Sequence, residues 1–189
     1  MSTLTLYHTG FEEIRLPDVH YGRKNADFGQ GFYLSDDEAF SRRWARTRKG
    51  MDTYLNIYEL DLGGLNVKRF ERGEEWFDYI SRNRLGAADS LPEYDVIIGP
   101  IANDTIYDTF GLMTSGLIPK ELALKLLLIG PCYVQTALKT PKAAEALRFI
   151  SSHTIPQEDV ESFREVVRAE EKEYQEQFFD VFNSEEPAG

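Results

Sequence analysis

The stretch Asp27-Phe28-Gly29-Gln30-Gly31-Phe32-Tyr33-Leu34-Ser35 leaves the chain few choices. Two glycines flank a single residue, so the backbone is free to take positive φ or to pass close to a ligand. The apolar triplet Phe32-Tyr33-Leu34 then reads as a short buried strand. Ser35 precedes Asp36, Asp37 and Glu38, the pattern of a helix N-cap with carboxylates in the first turn. A helix is therefore expected from about Asp36. Ala39, Phe40, Trp44 and Ala45 would form its apolar face, leaving Arg42, Arg43, Arg46, Arg48 and Lys49 for solvent or an anion. Tyr33 would stand between a glycine turn and a helix, a place where a rigid aromatic wall is easily held.

Around this centre the chain alternates between strand and helix signals. Leu4, Leu6 and His8 share one side of an opening strand ended by Thr9-Gly10. Tyr54 to Leu62 alternates with period two, and Val67 to Phe70 suggests a short strand. Glu74 to Arg82 looks helical, and Tyr94 to Ile101 reads as an apolar strand broken by Gly99-Pro100. Asn103-Asp104 is expected to cap a helix through Met113, and Pro119 to begin another running to about Leu128. Cys132 to Leu138 reads as a strand carrying Gln135, with Cys132 in the core. Thr140-Pro141 is expected to open a helix with Ala144, Leu147 and Ile150 as its apolar face. Gln157 to about Asn183 predicts one long helix packed by a single apolar stripe, docking onto a partner protein being the alternative. The expected fold is α+β: one domain over residues 1–156 and an acidic helical C-terminal extension over 157–189.

Charge separates these two parts. Residues 157–189 carry 3 basic and 11 acidic side chains, and the rest of the 189-residue chain carries 18 and 21. A nearly neutral body with an acidic tail argues against general binding to a phosphate backbone, which depends on lysine and arginine. No apolar run is long enough to span a membrane. The first residues lack the pattern of a secretory signal, and Cys132 is the only cysteine, so a cytoplasmic protein is expected.

Familiar catalytic patterns are absent. His8, His20 and His153 are scattered, with no metal-ligand spacing, so no metal is expected. Gly29-Gln30-Gly31 lacks the third glycine of a dinucleotide fingerprint, and there is no Walker A loop. In the turn Gly22-Arg23-Lys24-Asn25, Arg23 is a candidate phosphate ligand or a solvated loop charge. What remains is a dispersed set: His8 at a strand end, Tyr33 after the glycine turn, and Gln135 on a late strand.

Leu6-Tyr7-His8-Thr9-Gly10, the Asp27–Ser35 stretch with Trp44-Ala45, Tyr94 to Asp104, and Gln135 with Thr140, Ala143, Leu147 and Phe149 together resemble the bacterial DUF3990 family over roughly residues 4 to 150. That family in turn looks like a branch of the ADP-ribosyltransferase fold, in the histidine-tyrosine group that includes the poly(ADP-ribose) polymerases and diphtheria toxin. The resemblance implies a split β-sheet core with NAD, the substrate, bound between two small sheets. It implies that His8 hydrogen-bonds a ribose hydroxyl of the adenosine half. Tyr33 would stack on the nicotinamide ring. Gln135 would hold the nicotinamide-ribose 2′-hydroxyl at the position commonly filled by glutamate. The remaining cofactor-binding candidates are Thr9, Gly10, Arg23, Ser35, Asn103 and Asp104.

Two departures bear on catalysis. Glutamine carries no charge to offset a developing cation, so slower chemistry, a carboxylate from elsewhere or no chemistry is expected, with Asp104 as the candidate replacement. Thr9 stands where relatives place glycine directly after the histidine, and Gly10 follows. The implied activity is transfer of ADP-ribose from NAD to a macromolecular acceptor, as in a small toxin with an antitoxin-like partner. The alternatives are an NAD glycohydrolase, with water as acceptor, and a catalytically silent fold that binds a nucleotide or a protein.

Overall fold

The computed structural model describes residues 3–102, 104 and 106–184. In chain order the elements are β1 (Thr3–Gly10), β2 (Phe32–Leu34), α1 (Glu38–Arg42), β3 (Thr53–Asp61), β4 (Val67–Arg69), α2 (Glu74–Arg84), β5 (Val96–Pro100), α3 (Thr109–Thr114), α4 (Lys120–Leu127), β6 (Val134–Leu138), α5 (Pro141–Glu145), β7 (Leu147–Ile155) and α6 (Gln157–Ser184). The strands form two open sheets, a three-stranded one in the order β1-β3-β7 and a four-stranded one in the order β2-β6-β5-β4. All pairings are antiparallel except β4 with β5, whose connection runs through α2. The architecture is mixed α+β.

Strand periodicity explains how the layers close. Val96 and Ile98 of β5 face a core shared with Leu6, Tyr58 and Leu60 of the other sheet, so this cluster fills the space between the sheets. Ile97 points the opposite way, into a second core built with Trp76, Phe77 and Ile80 of α2 and Leu126 and Leu127 of α4. A strand buried on both faces must be apolar at every position, which is why Val-Ile-Ile-Gly-Pro shows no alternation. The outer face of the three-stranded sheet contributes Leu55 and Ile155 to a third cluster, closed by Val160 of α6. The stripe expected on α6 packs on the body: Val160, Tyr174 and Phe178 are all buried.

Several local expectations are corrected. α1 is a single short turn beginning at Glu38, with Asp37, not Ser35, as N-cap accepting from the Phe40 amide. Its apolar face is narrower than the spacing predicts, since Ala39 and Trp44 are exposed while Phe40 and Ala45 are buried. Gly99-Pro100 does not break β5, because Pro100 lies at the strand end. The helix expected after Asn103-Asp104 starts at Thr109, capped by Asp108; Asn103 lies outside the described residues. Pro119 occupies the N-cap of α4. The helix opened by Thr140-Pro141 stops at Glu145, and Leu147 to Ile155 is a strand that completes the three-stranded sheet. Cys132 is exposed.

Candidate functional site

Among the described residues one isolated backbone bridge joins the two sheets. Tyr7 of β1 and Ser35, just past β2, exchange both backbone hydrogen bonds at 2.8 and 3.0 Å. The Ser35 hydroxyl donates to the Val134 carbonyl of β6 at 3.1 Å and accepts from the Asp37 amide. Ser35 is thus the rivet between the sheets. Beside it opens a cleft of about 1500 Å³ whose walls include His8, Thr9, Arg23, Tyr33, Ser35, Asp104 and Gln135. Seven of the nine sequence candidates are brought together there. Gly10 is not on the wall; it ends β1, opposite Tyr54.

His8 stands next to the seam because β1 alternates: Leu6 and His8 face the other sheet, and the His8 ring lies 4.6 Å from that of Phe32. Its Nδ1 lies 2.8 Å from the Tyr33 carbonyl oxygen. A carbonyl only accepts, so the proton sits on Nδ1 and Nε2 is left as an acceptor. Burial holds the imidazole below its ordinary pKa, more than the Tyr33 carbonyl raises it, and favours this neutral form.

Tyr33 is held at both ends. Its hydroxyl donates to the Gly29 carbonyl at 2.6 Å and accepts from the Phe28 amide at 3.0 Å, closing the glycine turn back onto the ring. Burial pushes the hydroxyl far above its usual pKa, so it stays protonated and serves as a fastener. The turn itself requires glycine twice, for different reasons. Gly29 has φ of 72°, and a Cβ on Gly31 would lie 2.6 Å from the Leu138 carbonyl oxygen of β6. Close backbone approach is what seats β2 against β6.

Gln135 enters β6 directly before Thr136, the partner of Leu34. Its Nε2 donates to Asp27 at 3.2 Å. Asp27 also receives Arg84 at 2.7 Å and the Ala102 amide at 3.0 Å. Arg84 bridges on to Asp104 at 2.7 Å and lies over the Phe110 ring. Asp104, expected to cap a helix or to supply charge to the site, lies on the cleft wall as a buried ion-pair partner and accepts from the amide of Thr109, the first residue of α3. Burial raises its pKa against the downward pull of Thr109 and Arg84. Thr9 is likewise engaged, its hydroxyl donating to the Ser41 carbonyl at 2.7 Å. Arg23 is exposed, and among the described residues it has no partner.

Other wall residues escaped the sequence reading. Asp27 was visible in the glycine stretch, but nothing in a lone acid before an aromatic residue signals a buried partner. Arg84 resembles an ordinary basic residue at a helix C-terminus. Trp44 has the spacing of a core face, yet it is half exposed on the cleft wall, edge-on to Phe40, which stacks on Tyr133 at 4.3 Å. From the far side α6 contributes Glu170, whose carboxylate takes Arg43 at 2.6 Å and the Tyr133 hydroxyl at 3.0 Å. The cleft therefore offers a neutral imidazole acceptor, aromatic surfaces, a polarised amide and an arginine: groups for holding a polar ligand that carries hydroxyls, rings and anionic charge.

Among the described residues no group of acids, histidines and cysteines is placed to hold a metal ion, and no helix is long and apolar enough to cross a membrane. A comparison with curated proteins gives no match. The family described as protein of unknown function (DUF3990) matches residues 4–149, a span that contains both sheets up to the first residues of β7 and all the strand-borne groups of the cleft, and the chain belongs to that family.

Proposed function

We propose that the cleft binds NAD and that the protein is an ADP-ribosyltransferase-like enzyme, breaking the nicotinamide-ribose bond and passing ADP-ribose to a macromolecular acceptor. The observation that carries this reading is the convergence of His8, Tyr33 and Gln135 on one cleft from strands of two sheets, with His8 bonded to Tyr33's own carbonyl. A split pair of small sheets with the ligand at the seam is the arrangement expected of such a fold. The cleft's volume of about 1500 Å³ is ample for a dinucleotide.

In this reading the Nε2 of His8 accepts a ribose hydroxyl. The Tyr33 ring, fixed by the glycine turn, offers its face to the nicotinamide. Gln135, with Nε2 drawn to Asp27, turns its Oε1 toward a hydroxyl of the nicotinamide ribose. The Asp27 carboxylate polarises that amide, so a formal charge lies one hydrogen bond behind the position where glutamate would stand. With water as acceptor the same site would be an NAD glycohydrolase.

A second reading has its own support. Arg84 and the Ala102 amide already engage Asp27, which leaves the site little free negative charge; this favours a fold that binds a nucleotide without turning it over. Release of nicotinamide from NAD, measured with and without cell extract beside Tyr33→Ala, separates the cases. Release that depends on Tyr33 supports the enzyme, and dependence on extract points to a macromolecular acceptor. NAD binding without release supports the silent fold, and absence of both removes the NAD reading.

A further inference from the structure

We infer that Arg43 and Tyr133 form a diphosphate-binding corner of the cleft, and that the carboxylate of Glu170 on α6 occupies this corner until an anionic ligand displaces it. The inference rests on the reading of the cleft as a nucleotide site and assigns where the diphosphate sits and what competes for it.

The corner has the chemistry of an anion site. One guanidinium nitrogen of Arg43 reaches both Glu170 oxygens, at 2.6 and 2.7 Å, and the Tyr133 hydroxyl adds a third contact at 3.0 Å. Arginine and a phenol converging on a pair of oxygens would serve a phosphate as well as a carboxylate. The donors keep contacts that do not involve Glu170: Tyr133 is stacked on Phe40 with the rings 21° apart, and Arg43 donates to the Tyr133 hydroxyl at 2.5 Å and lies over its ring. Apart from α6, the described cleft walls carry four arginines and three aspartates, a slight positive excess; α6 adds three glutamates and reverses the sign. The helix therefore supplies the competing anion.

The side chains of Arg43 and Glu170 are 22% and 36% exposed, so the pair sits at the rim of the cleft, where an incoming anion can reach it and compete for the same donors. A diphosphate brings more charge and more acceptor oxygens to the same donors. α6 need not leave when Glu170 yields, because Val160, Tyr174 and Phe178 keep it docked. The switch is a side-chain exchange at the rim.

Calorimetric titration with inorganic pyrophosphate, and separately with NAD, tests this on the full chain and on Glu170→Gln, Arg43→Gln and Glu176→Gln. Glu176 is exposed on α6 and off the cleft wall, so its variant removes the same charge without touching the corner. Glu170→Gln is expected to bind pyrophosphate about tenfold more tightly, Arg43→Gln to lose binding, and Glu176→Gln to match the parent. Equal tightening by Glu170→Gln and Glu176→Gln, unchanged binding by Arg43→Gln, or no pyrophosphate binding by any folded variant overturns the inference. Pyrophosphate binding that follows this pattern while NAD gives no heat would leave the corner standing and remove the NAD reading. NAD binding that ignores both residues would do the reverse.

Discussion

The side-chain nitrogen of Gln135 sits 3.2 Å from a carboxylate oxygen of Asp27, a residue 108 positions away in sequence. Glutamine is the better partner for that carboxylate. Glutamate at 135 would set two acids side by side, and one would be driven to hold a proton. With its folded pKa raised above an unfolded value of about 4.3, such a glutamate costs nothing in acid and becomes destabilising as pH rises past that value. Gln135→Glu is therefore expected to melt like the parent near pH 4 and to fall behind near pH 7, by about 0.5–3 kcal/mol of pair interaction. Adding Asp27→Asn should recover part of that loss. A variant that tracks the parent across this range would show that the two side chains do not interact.

Arg84 is the common partner of Asp27 and Asp104, and both acids are buried. Removing it strands two carboxylates, which is costlier than the ion pairs were favourable. Arg84→Leu should lose about 3–5 kcal/mol, or about 6–20 °C in a thermal melt for a chain of this size. A loss under about 1 kcal/mol in denaturant titration would contradict the network.

Tyr33 separates a fastening hydroxyl from an aromatic face. Tyr33→Phe removes the bonds to Gly29 and Phe28 and should cost about 1–3 kcal/mol by leaving buried backbone groups unmet. Under the NAD reading it keeps nicotinamide release within about threefold, while Tyr33→Ala lowers it by more than tenfold, on the order of 1.4 kcal/mol of transition-state binding. Equal loss in both variants would assign the hydroxyl, not the ring, to the chemistry.

His8 carries a pH signature. Its folded pKa lies below the ordinary value because burial disfavours the charged ring. The unfolded chain therefore takes up the proton first, so stability is undiminished above about pH 6.5 and declines as pH falls below it. His8→Gln should flatten the part of the melting curve between pH 7 and pH 5 that this residue contributes. An unaltered acid slope would place the sensitivity elsewhere.

Gly31→Ala tests the close approach of β2 and β6. The added methyl would lie 2.6 Å from the Leu138 carbonyl oxygen, so the strands must part. The expected loss is about 1–3 kcal/mol, with weaker hydrogen-exchange protection at Phe32 and Leu34. Full stability in Gly31→Ala would mean that the turn relaxes without moving the strands.

Local information carried much of the fold. The alternation of Tyr54 to Leu62, the glycine turn before Phe32-Tyr33-Leu34 and the stripe of α6 are short-range patterns, and each became the element it predicted. The α+β class followed from them, and the family from the resemblance of the segments between Leu6 and Phe149. Short-range patterns misled where one residue could serve two structures. Leu147 and Ile150 are spaced for a helix, yet they lie in β7, because β3 offers a backbone edge that completes a sheet and a helix there would leave open. Trp44 has a core spacing but sits on a cleft wall, since α1 ends at Arg42 before its periodicity applies. Asp104 accepts from the first amide of α3, a contact a local window can suggest, but its pairing with Arg84, 20 residues earlier, no local window contains.

The sequence by itself determined elements such as β3 and α6, whose side-chain periods run the length of the segment, and it held the histidine, tyrosine and glutamine found on the cleft wall. Only the tertiary structure decided which charges meet: Asp27 with Gln135 and Arg84, Arg43 with Glu170. Such pairs join residues 57 to 127 positions apart, and what selects them is the desolvation that folding imposes on a charge. A charge in a sequence says only that it needs water or a partner; the fold removes the water and supplies the partner.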